Sequence, residues 1–272
     1  MKIAKNVTKL GTELVYDIFA KTKKLQAEGK KIIDLSLGQS AESPPRHVIE
    51  ATIKALKDGN NGYTVPNGII ECREAVSRKI KSLYNANVSP ERIFIMPGGK
   101  PTMHYAISFF GEPGVEIIYP DPGFPIYESM INYTGAKAVP INLLENDDFS
   151  INPEQILSLI NNNTRLIILN NPNNPTGSIM ETDQLESFCK TMSKKSIVFV
   201  DEAYHEYVTH PNYRSMIELV KEGHNILVSR TASKVHGLAG LRVGFAITTP
   251  EISKRLESYL TDSLNIVGLR AA

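Results

Sequence analysis

Apolar and polar positions alternate along this chain with two periods that take turns. From Gly11 to Glu28, Leu14, Ile18, Ala20 and Leu25 stand at helical spacing among lysines, and Gly29 follows where a helix C-cap is expected, which predicts an amphipathic helix. Lys31 to Leu37 is a short apolar run ending at Gly38 and predicts a strand. Pro44-Pro45 then opens a helix through Val48, Ala51, Ile53 and Leu56 that closes at Gly59, before an Asn60-Asn61-Gly62 loop. From about Ile69 the alternation becomes regular. Helices are predicted over 69–85, 101–110, 124–133, 153–160, 181–194 and 251–260, and strands over 92–96, 115–119, 136–141, 165–169, 197–200, 226–229 and 242–247. Leu166-Ile167-Ile168-Leu169 and Ile197-Val198-Phe199-Val200 are unbroken apolar runs, as expected of strands covered on both faces by helices. The predicted class is α/β, a three-layer sandwich with a mostly parallel central sheet. In such sheets ligands bind beyond the carboxyl ends of the strands, and the chemistry is to be sought there.

Composition narrows the setting. At 272 residues the chain can make one large domain or one and a half, since a single core usually stops growing at ~250–300 residues. A boundary near Ser43 separates an N-terminal piece, 1–43, from the alternating body, 44–272. Lys plus Arg number 30 against 29 Asp plus Glu, a net charge of +1, so no field points to nucleic acid or to a membrane surface. Cys72 and Cys189 are far apart and outside any C-x-x-C pair, which indicates no disulfide framework or zinc ribbon and suits a reducing compartment. Met1 to Lys9 lacks an apolar stretch of roughly 7–15 residues, and no run reaches ~18 apolar residues. The expected location is cytoplasmic.

Several familiar motifs do not fit. Gly98-Gly99-Lys100 lacks the earlier glycine of a phosphate-binding P-loop and is followed by Pro101, and there is no G-x-G-x-x-G. His205-Glu206 with His210 places the second histidine five residues after the first, on a different helix face from the one a zinc pair needs. No G-x-S-x-G turn occurs, and the other histidines are scattered.

Four clusters remain, each where a predicted strand ends. Pro97-Gly98-Gly99-Lys100-Pro101 joins a strand to a helix through small residues, and backbone N–H groups there can hold an anion. Asn170-Asn171-Pro172-Asn173-Asn174-Pro175-Thr176-Gly177 forces irregular backbone, with X-Pro bonds that can be cis and asparagine amides able to reach a ligand hydroxyl. Asp201-Glu202-Ala203-Tyr204 puts a carboxylate at the end of a buried strand, costly unless a cation or hydrogen-bond donor meets it. Ser229-Arg230-Thr231-Ala232-Ser233-Lys234, continuing to Gly240-Leu241-Arg242-Val243-Gly244, offers an amine nucleophile between hydroxyls with an arginine nearby. Each cluster alone has an ordinary structural use as a turn, a helix cap or a solvated lysine. Their conjunction points to a site.

NNPNNPTG, DEAY and SK, with Arg242 eight residues after the lysine, resemble the class I/II aminotransferases of pyridoxal-phosphate fold type I. The aspartate-aminotransferase-like branch looks nearest, and GLAGLRVG is similar to histidinol-phosphate aminotransferases. The resemblance extends to GYTVPNGIIECREAV and DPGFPIY, and so to most of the chain. It implies a large cofactor-binding domain with an incomplete small domain, pyridoxal 5'-phosphate as cofactor, and amino transfer between an amino acid and a 2-oxo acid. It also implies residue roles. Lys234 would be the Schiff-base lysine and proton shuttle, Asp201 the partner of the pyridine nitrogen, and Asn174 and Tyr204 donors to the ring's phenolic oxygen. Gly99, Lys100, Thr231, Ser233 and Arg242 would hold the phosphate, and Phe124 would stack on the ring. Tyr63 would cross a homodimer interface to the neighbour's phosphate, and Gly38, with Asn174, would meet the substrate.

Two departures accompany the likeness. Gln39-Ser40-Ala41-Glu42-Ser43 replaces the aspartate-and-proline wording of relatives after Gly38. The chain ends at Leu269-Arg270-Ala271-Ala272, where the family continues into a segment carrying an arginine for the substrate α-carboxylate, and the surroundings of Arg270 do not match that arginine. The chain is therefore expected to be truncated. The alternatives to an aminotransferase are a catalytically impaired paralogue that binds cofactor or a partner subunit, and another fold-type-I reaction such as elimination or decarboxylation.

Overall fold

The unbroken apolar runs become the middle of a seven-stranded sheet in a computed structural model that describes residues 2–11, 14–261 and 263–272. In chain order the strands are β1 (Ile93–Met96), β2 (Glu116–Asp121), β3 (Lys137–Asn142), β4 (Thr164–Asn170), β5 (Ile197–Asp201), β6 (Ile226–Thr231) and β7 (Gly244–Ile247). They lie in the order β1-β7-β6-β5-β4-β2-β3. β3, β2, β4, β5 and β6 are parallel, and β7 runs antiparallel to both β6 and β1. Parallel neighbours need crossover connections, and the intervening helices supply them.

The helices are α1 (Leu14–Ala27), α2 (Arg46–Lys57), α3 (Ile70–Tyr84), α4 (Lys100–Phe110), α5 (Ile126–Thr134), α6 (Pro153–Leu159), α7 (Thr182–Met192), α8 (Ile217–Lys221), α9 (Pro250–Glu257) and α10 (Ile266–Ala271). Because side chains alternate across a strand, each central strand feeds two cores. Leu169, Val198, Val200 and Val228 pack in one with Ile80 of α3, Ile156 of α6 and Leu185 of α7. Leu166, Ile168, Phe199 and Leu227 pack in the other with Ile107 of α4, Tyr127 and Ile131 of α5 and Leu256 of α9. The expected three layers with a mostly parallel sheet are what forms.

Two expectations need correction, and two short helices were not foreseen. Lys31 to Leu37 is not a strand: Ile33 and Leu35 are 84% and 89% exposed, and no strand among the described residues runs beside them. Apolar character alone cannot make a strand without a ladder partner. The strand predicted from Arg242 begins at Gly244, because Arg242 takes a left-handed turn with φ of 60° after a short 3₁₀ helix. α8 and α10, with five and six residues, are too short to display a helical period. The first helix, expected from Gly11, is seen from Leu14; residues 12 and 13 of the expected segment lie outside the described residues.

Candidate functional site

Strand register gathers the four clusters along one edge of the sheet. Asn170 of β4 pairs with Asp201 of β5, Asp201 with Ser229 of β6, Thr231 of β6 with Gly244 of β7, and Gly244 with Met96 at the end of β1. The carboxyl ends of β1, β4, β5 and β6 therefore stand side by side, and the turns leaving them carry the chemistry.

Asp201 is buried, 2% exposed. An ionised carboxylate so placed is expensive without donors. Three meet it: Tyr127 Oη at 2.6 Å on Oδ2, and Ser229 Oγ at 3.1 Å and the Ala203 amide at 3.2 Å on Oδ1. Burial pushes its carboxyl above the ordinary carboxylate value, and these bonds work in the opposite direction. Tyr127 is fully buried; burial first, then the neighbouring carboxylate, raises its phenol far enough that it remains a donor.

Around this carboxylate the Asn-rich turn is wired by its own side chains. Asn170 Oδ1 accepts the Asn174 amide at 2.6 Å, while Asn170 Nδ2 donates to the Asp201 carbonyl at 3.2 Å. The 171–172 and 174–175 X-Pro bonds are both cis. Asn174 Nδ2 donates to Tyr204 Oη at 3.1 Å, which brings together the two side chains expected at one ligand oxygen. A cavity of about 570 Å³ opens beside them, lined also by Pro172, Ile179, Tyr207 and His210.

Lys234 Nζ lies 5.4 Å from the Tyr204 ring centre and donates to the Gly38 carbonyl at 2.8 Å. Burial pulls this amine below the ordinary lysine value of 10.5; Lys100 adds to the effect and Asp201 opposes it. A lysine with a lowered pKa offers more unprotonated nitrogen at neutral pH, the form that can act as nucleophile or base.

The anion seat is the turn after β1. Gly98 adopts φ of +92°, and a Cβ there would fall 2.3 Å from Arg242 Nη2. That guanidinium is pinned by the Pro97 carbonyl at 2.5 Å and the Ala239 carbonyl at 3.0 Å. Gly99 lies against Thr231, whose Oγ1 donates to Ser233 Oγ at 2.9 Å and accepts the Ser233 amide at 3.1 Å. Backbone amides at the start of α4, two hydroxyls and a guanidinium thus converge. Gly98→Ala is expected to cost roughly 1–3 kcal/mol, as a side chain at positive φ must also displace the arginine. A lowered denaturant midpoint at constant slope would register it.

Lys100 Nζ stands over two rings, 5.2 Å from the centre of Tyr16 and 5.5 Å from that of Phe124. Phe124 in turn packs edge-to-face on Tyr127, with ring centres 6.1 Å apart, linking the anion seat to the Asp201 pocket. Tyr63 is 98% exposed, and Arg270 pairs with Glu71 at 3.0 Å. Sequence reasoning missed Tyr127, although it ends the DPGFPIY segment, and it missed the bonds from Ser229 and Asn170. A hydroxyl-bearing aromatic three residues after a ring-stacking candidate, at the start of a helix, was the available signal for Tyr127.

Comparison with known proteins agrees with this geometry. The family model described as aminotransferase class I and II matches residues 30–264. An aspartate aminotransferase of Bacillus subtilis is 28% identical over 97% of this chain, which spans 68% of that protein. A histidinol-phosphate aminotransferase of Caldicellulosiruptor saccharolyticus is 34% identical over 84% of the chain and 60% of its own length. Aspartate aminotransferase from Thermus thermophilus with maleate superposes over the whole chain with a TM-score of 0.92 at 26% identity, 72% of that chain being covered. The chain thus spans between about three fifths and three quarters of these relatives. A family match across most of the sequence, on a sheet that carries the four clusters at one edge, leaves one assignment: this chain belongs to the aminotransferase class I and II family.

Proposed function

We propose that the protein transfers an amino group between an amino acid and a 2-oxo acid, using pyridoxal 5'-phosphate held at Lys234. The observation that carries this reading is the meeting of a lysine whose pKa burial has lowered with a fully buried, triply hydrogen-bonded Asp201 at the carboxyl edge of one sheet.

The donor set fits the cofactor. The bare Gly98 turn lets the Arg242 guanidinium pack where a Cβ would otherwise stand, and the seat beside it offers Gly99, Thr231, Ser233 and Arg242 to a phosphate. Lys100 adds positive charge near that seat. Asp201 offers a carboxylate to a protonated ring nitrogen, Asn174 and Tyr204 offer donors to a phenolic oxygen, and Phe124 offers a ring face. When bound, the cofactor supplies an electron sink for the pair left as a substrate Cα–H bond breaks. Lys234 Nζ serves as the base that takes that proton. Gly38 and Asn174 are assigned to the substrate side of the site.

We further read the protein as a homodimer in which Tyr63 reaches the neighbouring site, a role consistent with a ring left 98% in solvent. The division into 1–43 and 44–272 is supported by the sheet, every strand of which follows residue 92. No helix among the described residues is long and apolar enough to cross a membrane. Two buried cysteines that are free suit a reducing compartment, and we place the protein in the cytoplasm.

Borohydride reduction after incubation with pyridoxal 5'-phosphate, followed by peptide mapping, is expected to yield a pyridoxyl adduct on Lys234. An adduct on any other lysine, or none, would overturn the assignment. Keto-acid exchange without release of ammonia or carbon dioxide then separates amino transfer from elimination and decarboxylation.

A further inference from the structure

Behind the site, on the opposite face of the sheet, lies a second polar cluster with no part in the reading above. Glu202 and Arg230 are 1% and 4% exposed. Arg230 Nε and Nη2 donate to Glu202 Oε2 at 3.0 and 2.9 Å, Ser215 Oγ donates to the same oxygen at 2.7 Å, and the Met216 amide donates to Oε1 at 2.8 Å. Arg230 Nη2 also reaches Tyr84 Oη at 2.7 Å, and Tyr84 Oη lies 2.7 Å from His205 Nε2.

The proton directions follow from chemistry. A guanidinium only donates, so the Tyr84 oxygen accepts from Arg230 and its own hydrogen goes to His205 Nε2. His205 Nε2 is then an acceptor, and the ring carries its proton on Nδ1. That nitrogen is buried without a hydrogen-bond partner and stands 3.8 Å from Glu202 Oε2. Burial lowers the His205 pKa and raises that of Tyr84, which keeps both rings neutral. Burial also opposes the charge on Arg230, but Glu202, Tyr84 and Glu206 outweigh it.

Glu202, His205 and Arg230 are each the sequence neighbour of a site residue, and Tyr84 joins them from the end of α3. Glu202 follows Asp201, His205 follows Tyr204, and Arg230 lies between Ser229, which bonds Asp201, and Thr231 of the anion seat. Because side chains alternate across a strand, Asp201 and Ser229 meet on one face while Glu202 and Arg230 meet on the other. The Glu202 amide also donates to the Ser229 carbonyl at 3.0 Å, tying the two strand ends together.

We propose that Tyr84, Arg230, Glu202 and His205 form a positioning set that holds 201–205 and 229–231 from behind, with the Tyr84 hydroxyl as its closing link. The proposal rests on the reading of Asp201 and Tyr204 as cofactor-holding residues. Removing the hydroxyl leaves an Nη2 hydrogen of Arg230 and Nε2 of His205 without partners in a buried place, and a half-satisfied network is worse than a complete one. The 205–207 turn loses its tie to α3, and Tyr204 at its start loses its fixed approach.

The test uses the full chain, with pyridoxal 5'-phosphate affinity measured by equilibrium dialysis and thermal stability measured without cofactor. Tyr84→Phe and His205→Leu should each weaken binding about tenfold and move the pH midpoint of the bound cofactor's absorbance. His205→Gln, whose amide oxygen can accept the Tyr84 proton, should restore binding to within about twofold of the native chain. If Tyr84→Phe or His205→Leu loses thermal stability yet binds within about twofold with an unmoved midpoint, the cluster is structural only and the proposal fails. Failure of the native chain to bind the cofactor would instead sink the proposed function. Should Tyr84→Phe not fold, the His205 pair carries the comparison.

Discussion

Lys234→Ala should lower transamination by at least about 10⁴-fold, the upper range for loss of a positioned acid–base group alone. The substitution removes an amine that is both the proposed attachment point and the proposed base. Its effect on folding should be small, because the amine's hydrogen bond is to the Gly38 carbonyl at the edge of the site. Lys234→Arg sharpens the experiment. It keeps a positive charge, but a guanidinium does not give up its proton and cannot serve as base or nucleophile. It should be as inactive as the alanine variant, and retained activity would reduce Lys234 to an electrostatic role. The pH dependence has a definite sign. Only the unprotonated amine can attach, and burial lowers the pKa of this one. The rate of cofactor attachment to cofactor-free protein should therefore rise with pH to a plateau, with a midpoint below the ordinary lysine value of 10.5. Stopped-flow absorbance would follow it.

The layers and the site clusters were legible because both follow short-range rules. Continuous apolar runs such as Leu166 to Leu169 suit strands covered on both faces, and turns rich in Gly, Pro and Asn mark where those strands end. Lys31 to Leu37 shows the limit of that rule, since the same apolar character stands in solvent when no strand lies beside it. Arg242 shows another: its left-handed φ, which ends one segment before β7 begins, leaves no trace in hydropathy. Long-range partners were the least visible. Tyr127 lies 74 positions before Asp201, Tyr84 lies 146 before Arg230, and only the folded sheet brings them within hydrogen-bond distance.

Asp201→Asn should reduce turnover by about 10²–10³-fold, the usual loss when one preorganised electrostatic partner is removed from a dry site. The amide preserves shape but lacks the charge that keeps a ring nitrogen protonated. It also puts an NH₂ where the present carboxylate oxygens receive Tyr127, Ser229 and the Ala203 amide, three donors for which the amide has one acceptor oxygen. Tyr127→Phe provides the graded comparison. The carboxylate keeps its two Oδ1 donors and loses one charge-assisted bond, so turnover near neutral pH should fall about tenfold. Activity requires the carboxylate and is lost as pH falls through its pKa. Burial already pushes that value up, and removing a bond that favours the ionised form pushes it further. The acid limb of kcat/KM should accordingly move to higher pH in Tyr127→Phe and vanish from the residual activity of Asp201→Asn. An acid limb that stays in place in both variants would mean that Asp201 does not govern the titration, and its assignment to the ring nitrogen would fall with it.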